Sequence, residues 1–208
     1  MNTLKFLSEK YNIRNKKSPV NLSYKRWDRF PKLIKELGFT VGAEIGVDRG
    51  RFAKKICQVN PKLKLFGVDA WKLYRDYSGS SSFDQAALDR FYARSKETLK
   101  PYNVKLIKAF SMDAVKKFAN ESLDFVYIDA NHRYEYCMDD IKEWSKKVKK
   151  GGLVAGGDYC NGLHVDLGGI ETNYGVKRAV DEWVKKNNIK SLFTLVRGAT
   201  PTWVYVKA

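Results

Sequence analysis

The chain has 208 residues, a length that fits one domain with a short extension. Hydrophobic residues make up 44% and charged residues 30%, with 15 Gly and 5 Pro, which excludes collagen-like, low-complexity and disordered classes. Lys and Arg number 39 against 23 Asp and Glu, a formal net charge of +16, so an anionic partner is one reading and lysines spread over solvated helix faces are the other. The three cysteines, Cys57, Cys137 and Cys160, have no C-x-x-C spacing, which argues against a disulfide framework or a zinc site. No run of about 18 apolar residues suggests a membrane span, and the first ten residues mix Leu and Phe with Lys and Glu, unlike a secretion signal. The expected location is cytoplasmic, with no membrane partner.

Residues 1–26 read as a basic N-terminal extension, and 27–208 as the domain. Within the domain, short apolar runs alternate with stretches of helical spacing, the pattern of repeated strand–helix units. Strands are expected at 41–47, 64–69, 104–109, 123–129, 152–156, 191–196 and 202–206. Helices are expected at 27–37, 52–59, 82–99, 113–118, 134–148 and 175–186. The run Leu123-Asp124-Phe125-Val126-Tyr127-Ile128 is nearly continuous in apolar residues, which indicates a parallel strand covered on both faces. Only Arg197–Pro201 separates the last two strands, so the final one turns back. The fold class is therefore α/β: a doubly wound, Rossmann-like sheet of seven strands, mostly parallel with an antiparallel last strand and helices on both faces. Ligands of such sheets bind outside the carboxyl ends of the strands.

The first of these strands ends in Glu44-Ile45-Gly46-Val47-Asp48-Arg49-Gly50, an E-x-G-x-x-x-G turn into a helix. Gly46 and Gly50 allow close approach of backbone to a ligand, but the G-x-G-x-x-G of pyrophosphate binders is absent. The second strand ends in Asp69, where a carboxylate can accept both hydroxyls of a ribose. Together the two strand ends imply a nucleoside ligand without a pyrophosphate. A plainer alternative has the glycines only turning the chain and Asp69 capping a helix.

Over about residues 27–206 these features resemble the class I S-adenosylmethionine-dependent methyltransferases. The resemblance implies S-adenosylmethionine as cofactor, with Glu44 supporting its methionine end, Asp69 its ribose, and Ser111 and Met112 bordering the adenine. Trp71 is placed to pack on the adenine face or, equally, to be a core tryptophan. The run Ile128-Asp129-Ala130-Asn131-His132-Arg133-Tyr134, followed by Asp139-Asp140-Ile141, is similar to the subfamily of macrocin-type sugar O-methyltransferases and cephalosporin-hydroxylase-like proteins. Gly157-Asp158-Tyr159 and the segment from Tyr174 to Glu182 fit it too.

An acceptor oxygen of high pKa must lose its proton, and His132, three residues beyond Asp129 on the strand rim, is the natural general base. His164 is the competing choice. In metal-dependent members of the group, carboxylates after the fourth and fifth strands bind a divalent ion, which would put Mg2+ on Asp129 and Asp158. The family's acidic residue just before the second of these is Gly157 here, so the resemblance leaves the metal open. The acceptor is expected to be a small or sugar-like molecule, with an anionic one suited to the net charge. Residues 74–91, including Tyr74, Tyr77, Phe83 and Phe91, together with 161–173, are expected to form its lid. A nucleic-acid methyltransferase is disfavoured, because neither an Asn/Asp-Pro-Pro-aromatic run nor a Pro-Cys pair occurs after the fourth strand. A non-catalytic cofactor-binding protein on the same fold is the remaining alternative.

Overall fold

The computed structural model describes residues 2–12, 16–73, 84–165 and 171–208. In chain order its elements are α1 (Thr3–Tyr11), β1 (Val20–Leu22), α2 (Arg26–Glu36), β2 (Val41–Ile45), α3 (Arg51–Val59), β3 (Lys64–Asp69), α4 (Gln85–Leu99), β4 (Val104–Lys108), α5 (Ser111–Ala114), β5 (Leu123–Ile128), α6 (Tyr134–Lys147), β6 (Val148–Gly156), β7 (Gly162–Val165), β8 (Glu171–Tyr174), α7 (Val176–Lys186), β9 (Phe193–Leu195) and β10 (Thr202–Val206). A 3-10 turn, Val115–Lys117, continues α5. The helix starts have local causes: the Asp84 carboxylate accepts from the Ala87 amide at 2.7 Å ahead of α4, and Gly50, at φ +77°, lets the chain swing into α3.

The main sheet has eight strands in the order β1-β9-β10-β6-β5-β2-β3-β4. Only β10 runs against its neighbours; β1 is parallel to β9, and β6, β5, β2, β3 and β4 are mutually parallel. Period-two alternation divides the strand side chains between two cores. Phe125, Tyr127 and Leu153 pack with Phe30, Ile34, Phe52 and Ile56 of α2 and α3 on one face. On the other, Val126, Ile128 and Val154 pack with Ile141, Trp144 and Val180 of α6 and α7. Both faces of β5 are thus covered, as its apolar run requires.

Three expectations are corrected. The sheet has eight strands instead of seven, because Val20–Leu22, too short to show a period, adds as an edge strand along β9. The boundary set after residue 26 falls inside α2, whose first residue is Arg26. Leu7 and Tyr11 of α1 share a core with Phe30, so the basic segment is built into the domain. Part of the supposed loop 161–173 is the antiparallel pair β7–β8. Residues Tyr74, Tyr77 and Phe83 of the expected lid lie outside the described residues. Among those that are described, no helix is long and apolar enough to cross a membrane.

Candidate functional site

At β2 the sheet order reverses: β3 lies on one side and β5 on the other. Connections leaving the two halves diverge there and open a crevice at the strands' carboxyl ends. A cavity of about 500 Å3 fills it, lined by Arg26, Trp27, Glu44, Gly46, Asp48, Arg51, Phe52, Asp69, Trp71, Phe91, Ser111, Asp129 and His132, among others. That volume is within the usual range for a small-molecule site.

Glu44, the fourth residue of β2, points into this cavity yet is only 2% exposed. Its Oε2 has no hydrogen-bond partner among the described residues. Burial, and then repulsion from Asp129, hold its carboxyl well above the usual range. An unpaired buried carboxyl oxygen is costly, and a ligand donor would relieve it. The turn after β2 passes tightly over the neighbouring strand end: Gly46 is at φ +91°, and a Cβ there would lie 2.1 Å from the Asp129 carbonyl oxygen. No side chain fits at Gly46.

Asp69 ends β3 and pins that same turn. Its Oδ2 accepts from the amides of Val47 and Asp48, each at 3.0 Å, and its Oδ1 from the Trp71 amide at 2.8 Å. Burial raises its pKa and the three amides only partly offset this. A carboxylate has about four acceptor positions, so this one is already largely occupied by the backbone. Trp71 is 2% exposed, donates from Nε1 to the Asp48 carbonyl at 2.9 Å and packs on Tyr92. It is a fixed part of the cavity wall. Ser111 also lines the cavity, but its hydroxyl turns inward, donating to Asp140 and accepting from Trp144 Nε1. Met112 is absent from the lining and packs against the core under α6.

Beyond β5 the arrangement changes from backbone to side chains. Asp129 Oδ2 accepts from Arg26 Nη1 at 2.9 Å, and its Oδ1 is 3.5 Å from His132 Nε2. The same nitrogen is 2.9 Å from Asp158 Oδ2, while Asp158 Oδ1 accepts from the Thr200 hydroxyl. Burial disfavours the imidazolium, but the hydrogen bonds to Asp129 and Asp158 outweigh it and push the His132 pKa up to about 9. The His132 charge in turn holds the Asp158 carboxyl well below the usual range despite its burial. His132 stacks on Tyr174 of β8 with centroids 4.4 Å apart, and His164 meets the same tyrosine at 4.7 Å. The structure therefore brings Asp129, His132 and Asp158 together and leaves His164 outside the cavity lining.

Asp129, His132 and Asp158 each offer one ligand atom within 4.8 Å of the others, a spacing that a metal ion could use. The partners present do not suit Mg2+, which demands near-octahedral oxygen ligands. One corner of this cluster is an imidazole, a ligand better matched to transition metals. Each carboxylate already holds a cationic or hydrogen-bonding side chain, and Gly157 supplies no ligand.

Arg26 is the residue that sequence reasoning missed, since it stands one position before the expected start of the domain. The one available signal was indirect. Gly157 lacks the carboxylate expected beside Asp158, and a site that loses an anion must also change its cation.

The sequence of residues 43–159 matches the family described as a methyltransferase domain. No curated protein matches the chain. Among solved structures the fold is similar to cofactor-bound Rv0187 from MTB, with 13% identity over 98% of this chain and 89% of that one at a TM-score of 0.62. It is also similar to a Staphylococcus aureus protein assigned as a caffeoyl-CoA O-methyltransferase, with 16% identity over 99% and 92% at a TM-score of 0.61. An O-methyltransferase from Bacillus cereus, solved in complex with SAH, shares 13% identity over 99% and 90% at a TM-score of 0.59.

Proposed function

This chain belongs to the methyltransferase-domain family, and on that premise we propose that it moves a methyl group from S-adenosylmethionine to an oxygen of a small-molecule or sugar-like acceptor. The observation that carries the reading is the buried, unpartnered Glu44 oxygen in the same cavity as Asp69. An ammonium group would satisfy the first carboxyl. The acceptor position left on Asp69 suits a ribose hydroxyl. The B. cereus structure, solved in complex with SAH, is consistent with this choice of cofactor.

When bound, the cofactor supplies a methyl group already activated on a sulfonium, so the protein's task is to align the acceptor and take its proton. Trp71 and Phe91 wall the crevice. His132, at the end of the cavity nearest β5, takes the acceptor proton in its neutral form. Asp129 and Asp158 act as positioning residues, holding the ring and stabilising the imidazolium that results. Arg26 and Arg51 line the same cavity and favour an acceptor that carries negative charge. The short-range order Asp129, His132, Asp158 supports the macrocin-type likeness within the family.

Calorimetric titration with S-adenosylmethionine and its demethylated product tests the cofactor, and a homocysteine-release screen over sugars, phenols and anionic hydroxy compounds tests the acceptor. Saturable binding with turnover of one acceptor class is the expected result. Binding without turnover of any acceptor would leave a cofactor-binding protein, and no binding would overturn the assignment.

A further inference from the structure

The carboxylates at the ends of β5 and β6 would ordinarily call for a shared cation, and the chain places one of its own there. Arg26 Nη1 donates to Asp129 Oδ2 at 2.9 Å and to the Tyr127 hydroxyl at 3.2 Å. Its guanidinium also lies over the rings of Trp27 and Phe52, 5.6 and 5.5 Å from their centroids. Burial works against its charge, and Tyr127 and Asp129 more than restore it. The backbone beside the ion pair is shaped to admit it. A Cβ at Gly157 would lie 2.4 Å from Asp129 Oδ1 and 2.8 Å from Arg26 Nη1. Any side chain at 157, acidic or not, would collide with the pair. The bare glycine and the guanidinium thus fit together at one place.

We infer that Arg26 takes the place of a divalent ion in this site, so that the acceptor oxygen meets a guanidinium and the reaction needs no metal. The inference rests on the methyltransferase reading for its functional meaning, though not for its geometry. Among the described residues the hydrogen bonds of the guanidinium are made by Nη1, and Arg26 lines the cavity, so its Nε and Nη2 donors remain for an acceptor. A fixed guanidinium can therefore orient an acceptor oxygen by two hydrogen bonds, a task for which its planar fork is suited.

The test is Mn2+ binding, followed by the loss of the free-ion spin-resonance signal, in the wild-type protein and in an Arg26→Met variant that removes the guanidinium. We expect no saturable binding to wild type at millimolar Mn2+ and at least tenfold tighter binding to the variant, abolished by adding Asp129→Asn. Binding to wild type as tight as to the variant would overturn the inference. So would no binding to either protein, because Arg26 would then not be what keeps the ion out. Titration of both proteins with S-adenosylhomocysteine separates the two readings: unchanged affinity in the variant shows that its fold is intact, whereas no affinity in wild type defeats the cofactor assignment and leaves the metal result standing.

Discussion

Asp69 and Asp129 end neighbouring regions of one sheet, and they are held in opposite ways. Asp69 is fixed by three backbone amides within a few residues of β2 and β3. Asp129 is fixed by the side chains of Arg26 and His132, brought from a distant helix and from the next turn. Backbone donors survive every substitution except to proline, so the Asp69 side keeps its shape under most sequence change and suits a constant ligand. Side-chain donors can be exchanged one at a time, which suits a region whose partner differs from one relative to another.

The contrast is sharpest at His132. If the β5 rim carries the chemistry and the β3 rim the cofactor, His132→Ala lowers turnover by about 10² to 10⁴, the usual effect of losing a general base, and leaves cofactor affinity within a few-fold. Steady-state kinetics beside calorimetry check this, and equal losses in both would erase the distinction. The reciprocal change is Asp69→Ala. Removing a charge-assisted acceptor at the ribose, together with the anchor of three amides, should weaken cofactor binding by roughly a hundredfold, or about 3 kcal/mol. An affinity unchanged in calorimetry would remove Asp69 from the cofactor site.

The pH dependence tests the β5 rim again. With its pKa near 9, His132 is mostly protonated at neutral pH and cannot accept a proton until it loses one. The rate should therefore rise about tenfold per pH unit below 9 and level off above it. A rate profile already level from pH 7 would place the base elsewhere.

The last effect concerns stability behind the cavity. Burial raises the Asp140 carboxyl to about 7, with the Ser111 hydroxyl opposing the rise. The native state thus keeps its proton through a range where the unfolded chain ionises. Native protein binds more protons there, so this group's contribution falls as pH rises from about 4 to 7 and is constant beyond. Thermal melts across that range should show Asp140→Asn gaining on wild type as pH rises, by on the order of ten degrees at the upper end.

The same division explains what could be read from sequence. Strands β2, β3 and β5 announce themselves by apolar runs, and Glu44, Gly46 and Asp69 follow at their ends because backbone geometry ties them to the strand, whereas Gly50, expected to approach the ligand, turns the chain into α3 outside the cavity lining. His132 was legible for the same reason, lying just beyond β5. The Arg26 contact was not, since a helix-initiating arginine looks like any other in a basic segment and its partner is 103 residues away. The strand Val20–Leu22 and the pair β7–β8 were missed because three or four residues cannot display a period. Ser111 and Met112 were expected to face a ligand, but Asp140 and Trp144 hold the Ser111 hydroxyl and Met112 is drawn into the core.

The edge strand has one more consequence, for the order in which the protein acquires its parts. β1 lies beside β9, with Asn21 accepting from Thr194 across 173 residues of chain, and Arg26 opens the helix that follows. Loop closure over so long a separation is paid late in folding. During synthesis β1 has no strand to dock on until β9 and β10 have left the ribosome. The cavity between β2, β3 and β5 can form before that, and Arg26, whose partners lie on β5, just beyond it and on α3, can be seated with it.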